Sequence, residues 1–451
     1  MKAVFEDYFR ELIGDNADAF FDAIKAKKTR RALRANSLKS SKDEVAKWLT
    51  DSGYEVTDSP FSSDGIEITG RGERLSLKLP YYAGFTYPQD PSSMFAIDVL
   101  DPQPGENVID MTAAPGGKTT HIAQRMKNTG VLLANDLDKK RLKALHSNLE
   151  RLGVWNAVVT RLPAHKLSLF YPEKFDRVLL DPSCSGEGLL VTRDGKESFW
   201  NRKGLKRYAN DQFSLLCSAF RLLKPGGRLV YSTCTLNDVE NDGVVQKLID
   251  RFEEAEIVDV KVNGAPEQIS GLKGFRFWPQ KTQTKGFFCI AITKTASVEF
   301  STEENDLKNN RLKVLKDRSA KNHINILDKA FGIGDLLDDA VFTVRDGHVF
   351  RVSPDMIGFP LPPYYFLSFP FLKLHSGSSH PTHVGALWLA LYASKGIHEL
   401  NQEDTLAFFE RRPISYSGEE RGLFLAKYKN FPLGIAMLGE NSIDINMPKQ
   451  F

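Results

Sequence analysis

Two of the four cysteines in this chain stand directly after short apolar runs. Cys184 lies in "DPSCSGEG", three residues after Asp181, and Cys234 lies in "VYSTCTL", after Leu229-Val230-Tyr231. A thiol at such a place can act as a covalent nucleophile once its surroundings favour the thiolate. A buried, inert cysteine explains any one of them alone. Two at strand ends, one beside an aspartate, point to chemistry. Upstream, "DMTAAPGGKT" follows Asp110 with small residues and Gly116-Gly117. Such a turn exposes backbone N–H groups at a helix start, where a carboxylate or phosphate can bind. Its spacing is neither GxGxxG nor GxxxxGK[ST], which disfavours a nucleoside triphosphate. The plainer alternative is a tight turn without a ligand. Asp136, ending the next apolar run in "LLAND", is placed either to bind a ribose hydroxyl or to act as an ordinary surface cap.

The segments around these residues alternate. "ENVIDM", "GVLLAND", "AVVT", "DRVLLD" and "RLVYSTC" are buried-strand runs. Between them lie helical patterns: "GGKTTHIAQRM", then "KKRLKALHSNLERLG" with Leu142, Leu145, Leu149 and Leu152 on one face and Gly153 as the stop, and "FSLLCSAFRLL" before the turn "KPGG". Apolar strands separated by helices predict an α/β, doubly wound parallel sheet over residues 86–295, with ligands at the carboxyl ends of its strands. "EIVDVKV" and "GFFCIAITK" are candidates to close its edge.

The flanks differ. Residues 1 to about 50 read as helical, with Phe5, Phe9, Leu12 and Ile13 on one face and a capped helix start in "SLKSSKDEVAKWL". "GYEV", "GIEITG" and "RLSLKL" read as short strands, so 1–85 is a small α+β module. Residues 296–323 are polar and charged, a linker or a solvated helix. Residues 324–451 form a second α+β module, with hairpins at "VFTVRDGHVFRV" and "GLFLAKYKNFPLGIAML" and a helix at "VGALWLALYAS".

Composition sets outer bounds. At 451 residues and 41% apolar the chain can bury several cores. A formal charge of +3 permits a nucleic-acid partner without requiring one. "KAKKTRRALR" (25–34) concentrates six cations with no anion, either an RNA-binding stretch or a solvated helix face. The cysteines are too few for a disulfide scaffold, and none is spaced as CxxC, so no metal is expected. Acids at the N-terminus and the absence of an 18-residue apolar run argue against a signal peptide or membrane span, and a cytoplasmic protein is expected.

"DMTAAPGGKTTHIA", "LLANDLDKKRL", "DRVLLDPSCSGEG" and "VYSTCTLNDVEN" resemble the successive motifs of the S-adenosylmethionine-dependent RNA 5-methylcytosine methyltransferases of the Nol/Nop/Sun family. "LRANSLK" (33–39) and "YPQDPSSM" (87–94) are similar to its upstream signatures. The similarity leans toward the bacterial small-subunit rRNA branch and is weaker over the last third, where "FPLGIAM" is the best echo. The resemblance implies a Rossmann-like methyltransferase domain, an N-terminal RNA-binding module and a C-terminal PUA-like RNA-binding module. It implies that Cys234 is the nucleophile, that Cys184 assists product release, and that Asp181 hydrogen-bonds the cytosine and lies near the methyl donor. It also implies that Thr112, Ala113, Ala114, Pro115, Gly116, Gly117 and Lys118 surround the methionine moiety of the cofactor and that Asp136 binds its ribose, with Arg141 orienting that acid. Lys118 is either a source of positive potential at the thiol or a solvated helix residue. Pro163, in "RLPAHK", stands where many members place an aspartate that holds adenine. The expected partner is small-subunit rRNA, free or assembled, and a monomer is favoured. The rival readings are the same chemistry on tRNA or DNA (the latter with Cys184 attacking), a non-catalytic RNA-binding assembly factor, and a small-molecule methyltransferase.

Overall fold

In a computed structural model, residues 3–192, 200–266, 272–299, 310–315, 318–374 and 379–448 are described. The N-terminal part runs α1 (Ala3–Ile13), α2 (Ala17–Ala26), β1 (Ala32–Ala35), α3 (Lys42–Asp51), β2 (Tyr54–Asp58), β3 (Gly65–Gly70), α4 (Lys78–Tyr82) and β4 (Thr86–Pro88). Its strands form one antiparallel sheet of order β2-β3-β1-β4. α3 begins where the sequence places a cap, with Ser41 and Glu44 forming a reciprocal capping box. Two expectations fail here. "ALRA" is a fully buried strand that interrupts the helical stretch. "RLSLKL" forms turns leading into α4 rather than a strand, because Leu75, Leu79 and Tyr82 are buried together in one core with Phe408 and Leu433 from far along the chain.

The centre continues α5 (Pro91–Leu100), β5 (Asn107–Asp110), α6 (Gly117–Arg125), β6 (Val131–Asn135), α7 (Lys139–Leu152), β7 (Ala157–Thr160), α8 (Leu167–Phe170), β8 (Phe175–Leu180), α9 (Arg202–Leu222), β9 (Leu223–Thr233), α10 (Asp242–Arg251), β10 (Ala255–Ile257), β11 (Phe275–Phe277), α11 (Pro279–Thr282) and β12 (Phe287–Lys294). β9-β8-β5-β6-β7 are parallel, and β12 and β10 close one side antiparallel, as "GFFCIAITK" and the start of "EIVDVKV" suggest. β6 and β7 are buried at every position, as expected of a sheet covered on both faces. The chain order reverses between β5 and β8, which makes their carboxyl ends the switch point where ligands bind. Asp110 ends β5 and Asp181 follows β8.

The last part comprises α12 (Arg318–Phe331), β13 (Val341–Arg345), β14 (His348–Val352), β15 (Tyr365–Leu367), β16 (Pro370–Leu374), β17 (Ser379–Pro381), α13 (His383–Tyr392), β18 (Ile397–Glu399), α14 (Gln402–Phe409), β19 (Ile414–Ser415), β20 (Gly422–Tyr428), β21 (Phe431–Leu438) and β22 (Ser442–Ile445). Both expected hairpins form, β13-β14 around Asp346-Gly347 and β20-β21 around Lys429-Asn430. Within the 296–323 segment expected as a linker, 300–309 and 316–317 lie outside the described residues. No helix among the described residues is long and apolar enough to cross a membrane.

β15 leaves its neighbours and pairs antiparallel with β7, so a strand from the C-terminal third closes the far edge of the central sheet. Met356, Phe359, Leu361 and Leu367 enter the same apolar core as Ile109, Leu133 and Val178. A second shared core joins Leu33, Leu49 and Tyr82 to Leu387, Phe408 and Leu433. Phe359 stacks on Tyr171 with ring centroids 5.8 Å apart and is buried. Phe359→Ala is expected to lower stability by about 3–5 kcal/mol, read as a shifted urea midpoint for the catalytic sheet. An unchanged midpoint would mean that this segment is not part of the central core.

Candidate active site

α6 starts the site. Gly116, at φ 106°, is its N-cap and offers no side-chain cap, so the first N–H groups of the helix are left open. They face a cavity of about 320 Å³ whose wall includes Thr112, Ala113, Ala114, Pro115, Gly117, Lys118, Asp110, Asp181 and Cys234. Tyr87, Gln89 and Asp90 from the upstream signature complete it with Lys285 and Phe287. A Cβ on Gly117 would come within 3.1 Å of the Tyr87 ring.

Burial raises the Asp110 carboxyl to about 7, against the hydrogen bond from Thr119 Oγ1 at 2.7 Å. Lys118 is not a solvated helix residue: its side chain is 12% exposed. Nζ lies 2.7 Å from Asp181 Oδ2 and 5.1 Å from the Phe287 ring centroid. Burial works against its charge, but Asp181 outweighs it and holds the ammonium above its ordinary value, with Asp110 and Cys234 adding to that attraction. Asp181 also accepts from Ser232 Oγ at 3.1 Å, and its carbonyl accepts from Thr112 Oγ1 at 2.9 Å.

Asp136 is buried but does not line the cavity. Its carboxylate accepts from the N–H of Ala114 at 3.1 Å and of Asp138 at 2.9 Å. Arg141 Nη1 lies 3.4 Å away, and its Nη2 donates to the Ala114 carbonyl. Asp136 and Arg141 thus fix the loop itself. The Pro163 segment is held by Asn135, which donates to Leu162 O at 3.0 Å and accepts from Leu162 N at 2.8 Å.

The two thiols meet. Cys184 Sγ and Cys234 Sγ are 3.0 Å apart, both unoxidised. The hydrogen bond to Cys234, together with burial, pushes the Cys184 thiol up, which favours its protonated form. They open in different directions. Cys234 shares the cavity of the glycine loop. Cys184 lines a neighbouring one of about 220 Å³ with Trp200 and Tyr208.

Sequence reasoning missed what stitches the two thiol loops together. Ser185 N and Gln212 Nε2 donate to Glu240 Oε2 at 3.1 and 2.8 Å. Asn237 Nδ2 reaches Glu240 at 2.9 Å and Glu187 at 3.1 Å, and Trp200 Nε1 donates to Glu187 at 2.7 Å. Both glutamates are buried, and burial with repulsion from Glu240 raises Glu187. The signal was present in "SGEG" and "NDVEN": acids and amides inside otherwise apolar surroundings. Gly188 has its own reason. A Cβ there would meet Gly286 O at 2.0 Å, closing the space between the cysteine loop and the cavity wall.

The cation run also resolves. Arg34 is fully buried and donates to Gln89 at 2.8 Å, Gly117 O at 2.5 Å and Thr120 at 2.7 Å. Arg30 pairs with Glu67 at 2.7 Å. Only Lys25, Lys27, Lys28 and Arg31 are left as exposed cations of that stretch, so it is not one basic face. "LRANSLK" is a clamp: Arg34 reaches α6, and Asn36 and Lys39 donate to the carbonyls of Leu152 and Arg151 at the end of α7.

Residues 97–293 match the family model described as 16S rRNA methyltransferase RsmB/F, and residues 1–91 match that for the N-terminal domain of 16S rRNA methyltransferase RsmF. A ribosomal RNA small subunit methyltransferase F of Aliivibrio fischeri is 30% identical over 448 residues, 96% of this chain and 93% of that one. This chain belongs to the 16S rRNA methyltransferase F family. The similarly named protein of Klebsiella pneumoniae is 37% identical over 279 residues, and there the match spans 60% of this chain and 58% of the relative. A crystal structure of a methyltransferase homolog from Pyrococcus horikoshii is 34% identical with a TM-score of 0.58, over 65% of this chain and 95% of that one. The cofactor this membership implies is S-adenosylmethionine. The site fits it: uncapped helix N–H groups for a carboxylate, a glycine cradle, and a cavity of nucleoside size.

One pH effect follows from Asp110. Its folded-state pKa, about 7, lies above the unfolded value near 4, so folding favours its protonated form. Stability of the cofactor-free protein should therefore fall as pH rises from about 4 to 7, by up to a few kcal/mol. Urea midpoints of Asp110→Asn should lack that component. Parallel pH profiles for the two proteins would show that Asp110 does not titrate this way.

Proposed function

We propose that this chain methylates carbon 5 of a cytosine in small-subunit rRNA through a covalent bond to Cys234. The observation that carries the reading is that Cys234, and not Cys184, shares one cavity with Lys118, Asp181 and the glycine loop. When bound, S-adenosylmethionine supplies a methyl group on a sulfonium, ready for transfer to a carbon nucleophile.

Carbon 5 of cytosine is a poor nucleophile. Addition of Cys234 Sγ to carbon 6 forms the S–C bond and moves the ring's electron pair toward carbon 5 and N3. Asp181 faces N3, hydrogen-bonds it and supports its protonation. Lys118 keeps positive charge beside the attacking sulfur and orients Asp181. After carbon 5 has taken the methyl group, its proton passes to solvent and the C–H electron pair restores the double bond to carbon 6. The S–C bond breaks with its electron pair returning to the Cys234 sulfur, and N3 gives up the proton it took. Cys184, held protonated 3.0 Å from that sulfur, assists this release by donating to it. The target base has to leave its stack to reach the thiol, which favours an unpaired cytosine. Thr112 to Lys118 surround the methionine end of the cofactor, and Asp136 and Arg141 set the loop beside its ribose.

The module division at 85/86, 295/296 and 323/324 belongs to the same reading. So do a PUA-like C-terminal RNA-binding module, a cytoplasmic location and a monomeric protein acting on free or assembled subunit RNA.

Three proteins on one denaturing gel test the mechanism, with small-subunit rRNA and with or without cofactor. Cys184→Ala should attack but not release, and should accumulate a cofactor-dependent protein–RNA adduct. Cys234→Ala should give neither adduct nor methylation. Adducts from Cys234→Ala alone would reverse the two roles. No methyl transfer by the parent protein, with adducts in neither variant, would end the catalytic reading.

Asp136→Ala should weaken cofactor binding by about 1.5–3 kcal/mol, read by calorimetry. Unchanged affinity would show that the loop binds cofactor without Asp136 setting it.

A further inference from the structure

A second cavity, also of about 320 Å³, lies between the N-terminal and C-terminal parts and shares no lining residue with the reaction centre. α3 supplies Val45 and Trp48 to it, the end of α13 supplies Leu391 and Tyr392, and the β20-β21 hairpin supplies Lys427, Lys429 and Phe431. Lys39 comes from the segment that clamps α7.

Its chemistry is one-sided. Three lysines line it, and neither Lys427 nor Lys429 is ion-paired to a carboxylate among the described residues. Lys429 Nζ sits 5.1 Å from the Trp48 ring centroid. Glu44 is the one acid on the wall, and its carboxylate is already used by the capping box, accepting from Ser41 N at 2.9 Å and Ser40 Oγ at 2.8 Å. Lys39 donates to the carbonyls of Ala83 and Arg151, both at 2.8 Å, with no carboxylate beside it. Burial, and next the charge of Arg151, lower it to about 7, a cost that an anion in the cavity would offset. Part of the aromatic surface is open: Tyr392 is 44% exposed with its ring also packed on Trp388 at 4.9 Å, and Trp48 is half-buried, with the Phe431 ring edge-on at 4.7 Å and its own Nε1–H donating to Ser76 O at 2.9 Å. Cations alternating with aromatic rings are how proteins hold single-stranded nucleic acid, by stacking bases and neutralising phosphates.

We infer that this cleft holds one unpaired nucleotide of the RNA strand away from the reaction centre, with its base against Trp48 and Tyr392 and its phosphate on Lys427 and Lys429. The inference rests on the reading of the substrate as RNA. The Lys39 segment also carries Arg34, which holds α6, so an RNA strand seated here lies on the same rigid piece that sets the cofactor loop.

The test uses the full chain and a single-stranded RNA oligomer of mixed sequence, with the same oligomer lacking bases as a second probe. Tyr392→Ala is exposed enough to leave the fold intact and should weaken binding of the normal oligomer about tenfold. Binding of the abasic oligomer, and calorimetric affinity for S-adenosylmethionine, should be unchanged. Trp48→Phe should retain most affinity and Trp48→Ala should lose it. Lys427→Gln with Lys429→Gln should lower the slope of log affinity against log salt by roughly 1 to 2. Full affinity in Tyr392→Ala and in the double lysine variant, with the parent binding RNA, would overturn the cleft assignment alone. A parent protein that binds no RNA would overturn the substrate reading along with it.

Discussion

The reaction centre depends on the ion pair between Lys118 and Asp181. Taking an ammonium out of water costs several kcal/mol, and a close, well-oriented carboxylate offsets that while keeping the charge. Here the two meet at 2.7 Å, with the lysine side chain almost fully covered. Lys118 belongs to the first turn of α6, and Asp181 follows β8. The pair therefore ties the cofactor loop to the cysteine loop across the switch point. Ser232, near the end of β9, joins the same carboxylate. Two strand ends and a helix start that are far apart in sequence are held to one geometry around one charge pair.

Beneath the thiols the constraint is of another kind. Glu187 and Glu240 are carboxylates in a buried space, surrounded by Asn237, Ser185, Gln212 and Trp200, each donating. A buried polar network whose donors are all used is rigid, because any displacement leaves a group unpaired in a low dielectric. Here that rigidity sets how two sulfurs approach one another while facing separate cavities. Positions and openings, more than residue identity, distinguish Cys234 from Cys184.

Much of this was legible in the residues themselves. The α/β rhythm from 106 to 233, the stop at Gly153, a capped helix start within "SLKSSKDEVAKWL" and both hairpins follow from local periodicity and turn chemistry, which act over a few residues. The strand "ALRA" and the helix at Lys78–Tyr82 were not legible. Both are decided by partners distant in sequence, β3 and β4 for the first and the C-terminal core for the second. The same holds in the site. The cysteines, Asp181 and the glycine loop announce themselves by type and spacing. That Arg34 is a buried clamp, that Lys118 is an ion-pair partner, and that Asp136 and Arg141 brace the loop from outside the cavity depend on which elements pack together.

The β15 strand has a consequence for how the chain is made. β7 is the third parallel strand of the sheet in chain order, yet its outer neighbour is encoded roughly 200 residues later. At about 5–20 residues per second, a ribosome takes roughly 10–40 seconds to bridge that interval. During it the nascent sheet presents a raw edge of unpaired Val158, Val159 and Thr160 backbone, the kind of surface on which neighbouring chains add strands. Synthesis speed and chaperone access over that stretch thus bear on the yield of folded protein in a way that no contact within the finished molecule records.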